Sequence, residues 1–136
     1  MLTGEFRSRI DAEGRMLVPA EFRAELAEGA TVTRGIDRCV VVYPATRWRA
    51  LAEDVEHRLP LTSRLGRSFS RLMFSGALTC IPDQKGRIRL PASLREYAGI
   101  EDEAVVVGLF SHLEIWNPRR WHEIRSASLD DGASLA

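Results

Sequence analysis

Two copies of one short motif carry the polar side chains of this 136-residue chain that are best suited to binding an anionic partner. Asp11–Arg15 and Asp83–Arg87 both read D-x-x-G-R. An arginine can donate two hydrogen bonds to the acceptors of a guanine base, and it also pairs well with phosphates. We therefore predict that the Arg15 and Arg87 side chains stand free in solvent and contact DNA, with plain surface arginines as the alternative.

The remaining motif positions have a structural interpretation. The carboxylates of Asp11 and Asp83 can cap their turns through the backbone or pair with the nearby arginines. Gly14 and Gly86 are expected to adopt positive φ, which glycine tolerates best. These four residues are predicted to stabilise the turns rather than to contact a ligand.

Strand alternation around each motif predicts a basic face. Glu5–Ile10 and Arg15–Val18 alternate like half-buried strands that the first turn joins into a hairpin, and the second copy repeats the pattern. The inward-facing positions of this alternation are Met16, Val18, Ile88 and Leu90. A two-stranded ribbon of this kind fits the major groove of B-DNA. The predicted DNA-binding cations are Arg7, Arg9, Arg15, Lys85, Arg87 and Arg89. Those other than Arg15 and Arg87 are expected to contact phosphates, which gives affinity without sequence information.

The overall charge hides a strongly cationic middle segment. The formal net charge is zero, yet residues 58–95 carry eight basic side chains against Asp83 alone. Such asymmetry favours an anionic partner, with nucleic acid as the leading candidate and a solvated surface as the alternative.

The motif belongs to a longer internal duplication. The pattern D-x-x-G-R-φ-x-φ-P-A-x-φ-R, with φ apolar, begins at Asp11 and again 72 residues later at Asp83. We predict a first repeat over 1–52, a helical linker over 53–73, a second repeat over 74–125 and a disordered tail over 126–136. Each repeat is too small to close its own core. The expected fold is α+β, a barrel-like body with a pseudo-twofold axis and peripheral helices.

Composition and motifs exclude several functional classes. No apolar run is long enough to span a bilayer, and the first residues lack the apolar stretch of a signal peptide, so we expect a cytoplasmic protein. Cys39 and Cys80 form no metal-binding pattern, and the three histidines lack partners at ligand spacing. We expect no metal, no cofactor, no small-molecule substrate and no membrane partner.

Two rival functions remain to be compared with DNA binding. One aspartate per half suggests a carboxylate dyad on the pseudo-twofold axis, but Asp11 and Asp83 lie beside arginines and no hydrolase motif accompanies them. We therefore predict that the chain is not an enzyme. The stronger rival is an antitoxin-like protein-interaction module built on the same barrel.

The duplicated motif, the segment Phe74–Gly76 and the segment Val107–Trp116 resemble the MraZ family, bacterial regulators encoded with division and cell-wall genes. The resemblance covers about residues 1–125. It implies a double-split, swapped-hairpin β-barrel of the SpoVT-AbrB type, built from two tandem copies. It also implies a ring-shaped homo-oligomer, typically an octamer, that associates with the nucleoid.

The resemblance further implies binding to G-rich direct repeats in promoter DNA, most simply as a repressor of the protein's own operon. Arg15 is then the leading base-reading residue. One position departs from the family pattern: Glu13 stands where many members carry lysine, whereas the second repeat has Lys85. We therefore expect the two hairpins to bind DNA unequally.

Overall fold

Residues 1–135 form eight strands and five helices, which confirms the predicted α+β class. A computed structural model describes residues 1–135, and Ala136 lies outside them. The elements are β1 (Leu2–Arg9), β2 (Arg15–Leu17), α1 (Ala20–Leu26), β3 (Ala30–Arg34), β4 (Val40–Pro44), α2 (Ala45–Arg58), α3 (Arg64–Ser75), β5 (Leu78–Cys80), β6 (Arg87–Arg89), α4 (Ala92–Ala98), β7 (Glu103–Phe110), β8 (Leu113–Trp116) and α5 (Pro118–Leu135).

The main sheet mixes strands from both repeats. Its order is β1-β7-β8-β4-β3-β5, and every neighbouring pair is antiparallel. Exchanging each strand for its equivalent in the other repeat gives the same order read backwards. Val41 and Glu114, which are equivalent positions, face each other where β4 pairs with β8. A pseudo-twofold axis therefore passes between these two central strands.

The two-stranded ribbon also joins the repeats, and here the prediction was wrong. β1 and β2 were expected to form a hairpin, but they share only the isolated bridge between Ile10 and Met16. β2 pairs instead with β6, and Met16 lies opposite Ile88, its equivalent. Both side chains are almost fully buried. Pairing across the repeats covers both apolar faces with one core, which a separate hairpin in each repeat could not do.

The core lies beneath the ribbon and is shared by both repeats. The inward-facing residues predicted from alternation, among them Met16, Val18, Ile88 and Leu90, are buried in one cluster. Phe22 of α1 packs edge-on against Phe6 of β1, with ring centroids 5.2 Å apart. Neither repeat could bury this surface without the other.

The chain segments outside the repeats are helical. Leu59 and Pro60 lie between α2 and α3, where the helical run is interrupted. The tail was expected to be disordered from residue 126, but α5 continues to Leu135. Trp121 and Ile124 anchor the helix against a second buried cluster, and no proline after Pro118 interrupts it. The helix therefore propagates through residues whose polarity alone suggested a frayed end.

Candidate nucleic-acid interface

Each motif aspartate organises the turn that follows it. Asp11 Oδ1 accepts hydrogen bonds from the backbone N–H groups of Glu13 and Arg15, both at 2.9 Å. Asp83 Oδ1 accepts from Lys85 and Arg87 at the same distances. The first turn and the second turn therefore have the same geometry, and the structural interpretation of both aspartates is consistent with it.

The same aspartates also hold the motif arginines. Arg15 Nε donates to Asp11 Oδ2 at 2.9 Å, and Arg87 Nε donates to Asp83 Oδ2 at 2.8 Å. The Arg15 and Arg87 side chains are 31% and 25% exposed. We expected both guanidinium groups to stand free in solvent. They are instead half-buried and ion-paired, because each aspartate lies one turn before its arginine and faces it.

The acidic environment of the two arginines is unequal. Arg15 Nη2 lies 3.0 Å from Glu13 Oε2, so this guanidinium group has a second carboxylate partner. At the same position the second turn has Lys85, which is exposed. Arg87 Nη1 instead lies 3.6 Å from Asp11 of the other repeat. Glu13 therefore adds a negative charge to the first tip at the position where the second tip has a positive one.

Each motif glycine has a positive φ and lies under an arginine of the opposite repeat. Gly14 and Gly86 have φ of +81° and +80°. Arg95 extends over Gly14, and Arg23 extends over Gly86 so closely that an added Cβ would lie 2.7 Å from Arg23 Nε. Each arginine also donates to a backbone carbonyl of its own repeat. Alternation along the sequence could not reveal this contact across the repeats.

The outward face of the ribbon consists of two cross-strand rungs. Arg15 lies opposite Arg89 in one rung, and Leu17 lies opposite Arg87 in the other. Arg89 reaches the first turn, where its Nη1 donates to the Glu13 carbonyl at 3.0 Å. Like charges facing each other across a strand pair repel. The nearby carboxylates offset that repulsion, so the ribbon can display three arginines at once.

The two arginines of β1 extend this basic surface. Arg7 and Arg9 are both exposed on the outer face of the strand. They line a depression of about 400 Å³ together with Leu17 and Pro19. Leu17 links them to the ribbon, because it lines this depression and also lies opposite Arg87. Arg7 and Arg9 themselves belong to the main sheet rather than to the ribbon.

The acid–base properties of the turns argue against the carboxylate dyad. The backbone N–H of Arg15 is the main cause that lowers the pKa of Asp11, and the Arg15 side chain adds to it. The corresponding groups of Arg87 lower the pKa of Asp83. A dyad that shares one proton needs one carboxyl with a raised pKa. Both aspartates are therefore suited to accepting hydrogen bonds as anions.

These shifts predict how stability depends on pH. A depressed pKa in the folded state contributes stability above the unfolded value of about 3.9, and that contribution disappears as the pH falls through the folded pKa. The free energy of unfolding, measured in urea at pH 7, 5, 4 and 3, should fall less at acid pH in the double variant Asp11→Asn/Asp83→Asn than in the wild type. Asp131→Asn on α5 is the control and should follow the wild type. If the free energy of unfolding of the double variant falls as steeply with pH as that of the wild type, the two aspartates do not have lowered pKa values in the folded state.

Residues 1–135 contain no cluster of three or more His, Cys, Asp or Glu side chains placed to hold a metal ion. No helix in the same range has the length and apolar character needed to cross a membrane.

Comparison with known proteins identifies relatives over nearly the whole chain. The family model described as "MraZ protein, putative antitoxin-like" matches residues 1–72 and 73–134. Two proteins named "Transcriptional regulator MraZ" are similar: one from Roseiflexus castenholzii is 46% identical over 99% of this chain and 93% of its own length. The other, from Natranaerobius thermophilus, is 44% identical over 89% of this chain and 84% of its own. With both repeats matched, the chain belongs to the MraZ family.

Proposed function

We propose that this protein is a sequence-specific DNA-binding regulator of transcription that acts on its own division and cell-wall operon, most simply as a repressor. The observation that carries the proposal is the ribbon, whose outward rungs display Arg15, Arg87 and Arg89. The names of its relatives support regulation of transcription rather than catalysis. The protein then works in the cytoplasm, associated with the nucleoid.

The aspartates prepare the arginines for base recognition. Asp11 and Asp83 fix each guanidinium group through its Nε edge, which removes rotamer freedom before DNA arrives. A fixed guanidinium plane suits the two acceptors of guanine in the major groove. Lys85 and Arg89, with Arg7 and Arg9 beside them, are placed to contact phosphates and make the affinity salt-dependent. Glu13 weakens the first tip, so the second should contribute more.

The fold proposed with this function is the swapped-hairpin barrel of the SpoVT-AbrB type. Its support is the pairing of β2 with β6, since each ribbon strand comes from a different repeat. Val18 N donates to the Gly86 carbonyl, and Leu90 N donates to the Gly14 carbonyl, so the two turns interlock. A stable pair of turns gives the ribbon a defined shape for the groove.

We also propose that several copies form a ring, most simply an octamer, which binds direct repeats in tandem. The chain exposes large apolar side chains away from the ribbon, including Leu61 at 70% and Leu65 at 72%. Exposed apolar patches of this kind mark interaction surfaces. One ribbon makes few contacts, whereas tandem binding raises avidity by about 10²–10⁴-fold through effective concentration.

The experiment that tests this proposal uses DNA from upstream of the protein's own coding region. Footprinting locates the protected repeats, which are then scrambled one at a time while the fragment length stays constant. We expect a single remaining repeat to bind at least about 100-fold more weakly than the intact set at 150 mM salt. Equal affinity would contradict tandem binding by an oligomer, and no protection at all would leave the antitoxin-like function as the better hypothesis.

A further inference from the structure

The pseudo-twofold symmetry of the ribbon is broken at one outward pair of residues. Leu17 and Arg89 occupy equivalent positions of the two repeats, 72 residues apart. One rung of the ribbon therefore displays two guanidinium groups, Arg15 and Arg89, and the other displays Arg87 beside an isobutyl group. The surface is chemically directional along the ribbon even though the backbone is nearly symmetric.

Leu17 is placed like a contact residue rather than a core residue. It is 44% exposed, whereas its neighbours Met16 and Val18 are fully buried. Its backbone is fixed on both sides, because its carbonyl accepts from Ser8 Oγ at 2.6 Å and its strand position pairs with Arg87. Because its backbone is fixed, this partly exposed apolar side chain stays on the outer face of the ribbon beside Arg87, where contact with water does not stabilise it.

The surroundings of Leu17 indicate which partner it fits. Arg7 and Arg9 border the same depression, which Phe6, Pro19 and Glu21 also line. The two arginines supply the phosphate contacts of the proposed function. Between the phosphate backbones of a major groove, the thymine C5-methyl is the apolar group that a base edge presents. A leucine flanked by arginines therefore matches a thymine between two phosphate backbones better than it matches guanine or cytosine.

We propose that Leu17 is a specificity residue that contacts the C5-methyl group of a thymine next to the base contacted by Arg87. The inference rests on the proposed function and adds a base identity to it. Residues facing each other in an antiparallel pair lie about 4.5–5.5 Å apart at their Cα atoms, so the two side chains address the same or neighbouring base pairs. The bound site then has a direction, with thymine at the Leu17–Arg87 rung.

The test removes the methyl group without changing base pairing. The probe is the footprinted upstream fragment, made with thymine or with 2′-deoxyuridine throughout the protected repeats. We expect the wild type to bind the uracil probe about fourfold more weakly for each contacted thymine, since one buried methyl has roughly that effect. Leu17→Ala should bind both probes nearly equally.

Leu78→Ala provides a control with the same exposure. Leu78 is also 44% exposed but lies on β5, outside the ribbon, so this variant should keep the wild-type preference for thymine. The inference is overturned if Leu17→Ala keeps the full thymine preference, or if the wild type binds both probes equally. In either case the proposed function survives, because binding itself persists. Failure of the wild type to bind the thymine probe would overturn both.

Discussion

Arg87→Ala is expected to weaken binding to the upstream DNA by about 10- to 100-fold for each site, the range associated with one lost bidentate contact to guanine. Arg87 is the more effective of the two motif arginines because Lys85 lies next to it, whereas Glu13 pairs with Arg15 at 3.0 Å. Arg15→Ala should therefore cost less. The double variant should lose sequence-specific binding and keep only weak, salt-sensitive association.

A lysine substitution separates base recognition from simple charge. Arg87→Lys keeps the positive charge but cannot form the planar two-donor contact, so it should lose most of the specificity while retaining non-specific affinity. Arg49→Ala is the control, because Arg49 is 86% exposed on α2, outside the ribbon. Fluorescence anisotropy against the target and a scrambled fragment measures both quantities, and circular dichroism verifies folding. Undiminished discrimination by folded Arg87→Lys would show that Arg87 contacts phosphate only.

Gly86→Ala is expected to have the largest effect on stability, a loss of about 2–3 kcal/mol. A side chain at φ +80° costs about 1–2 kcal/mol. The new Cβ would also displace Arg23, whose Nε donates to the Val18 carbonyl at 2.9 Å, and that bond is worth about 1 kcal/mol. Because Gly86 also links the turns of both repeats, the ribbon should loosen as well.

Urea unfolding measures this effect, with Gly132→Ala as the matched control. Gly132 lies in α5, and an added Cβ there meets no atom within 4 Å. Alanine in an exposed helix should leave stability unchanged or raise it by up to about 1 kcal/mol. If both glycine variants unfold at the same urea concentration as the wild type, the packing of Arg23 over Gly86 is not significant. Relief of the defect by Arg23→Ala would support that packing directly.

Local sequence predicted the elements of this fold better than their pairing. Alternation identified Met16 and Ile88 as inward-facing, and the structure buries both. Alternation could not show that β2 pairs with β6, since the same apolar face would suit a hairpin with β1. The choice depends on the whole core, which both repeats must fill together.

The candidate site was predicted in composition but not in geometry. Arg15, Arg87 and Arg89 lie on the outer face of the ribbon, but Arg15 and Arg87 are ion-paired with the motif aspartates rather than free. A spacing of four residues between Asp11 and Arg15 is compatible with a capped turn or with an exposed arginine. Only the folded turn shows that the Asp11 carboxylate accepts from both the backbone N–H and the side chain of Arg15. The contact of Arg23 with Gly86 spans the repeats and leaves no local signal.

The pairing of β1 with β7 also affects how the protein can be made. β1 pairs with β7 from Leu2 and Phe110 to Arg9 and Glu103, so β1 has no partner strand in the main sheet until translation has reached β7. Such distant pairing slows folding and leaves a strand edge open to other nascent chains. Slowed translation or truncated messages should therefore be more harmful to this protein than to one whose strands pair with their neighbours.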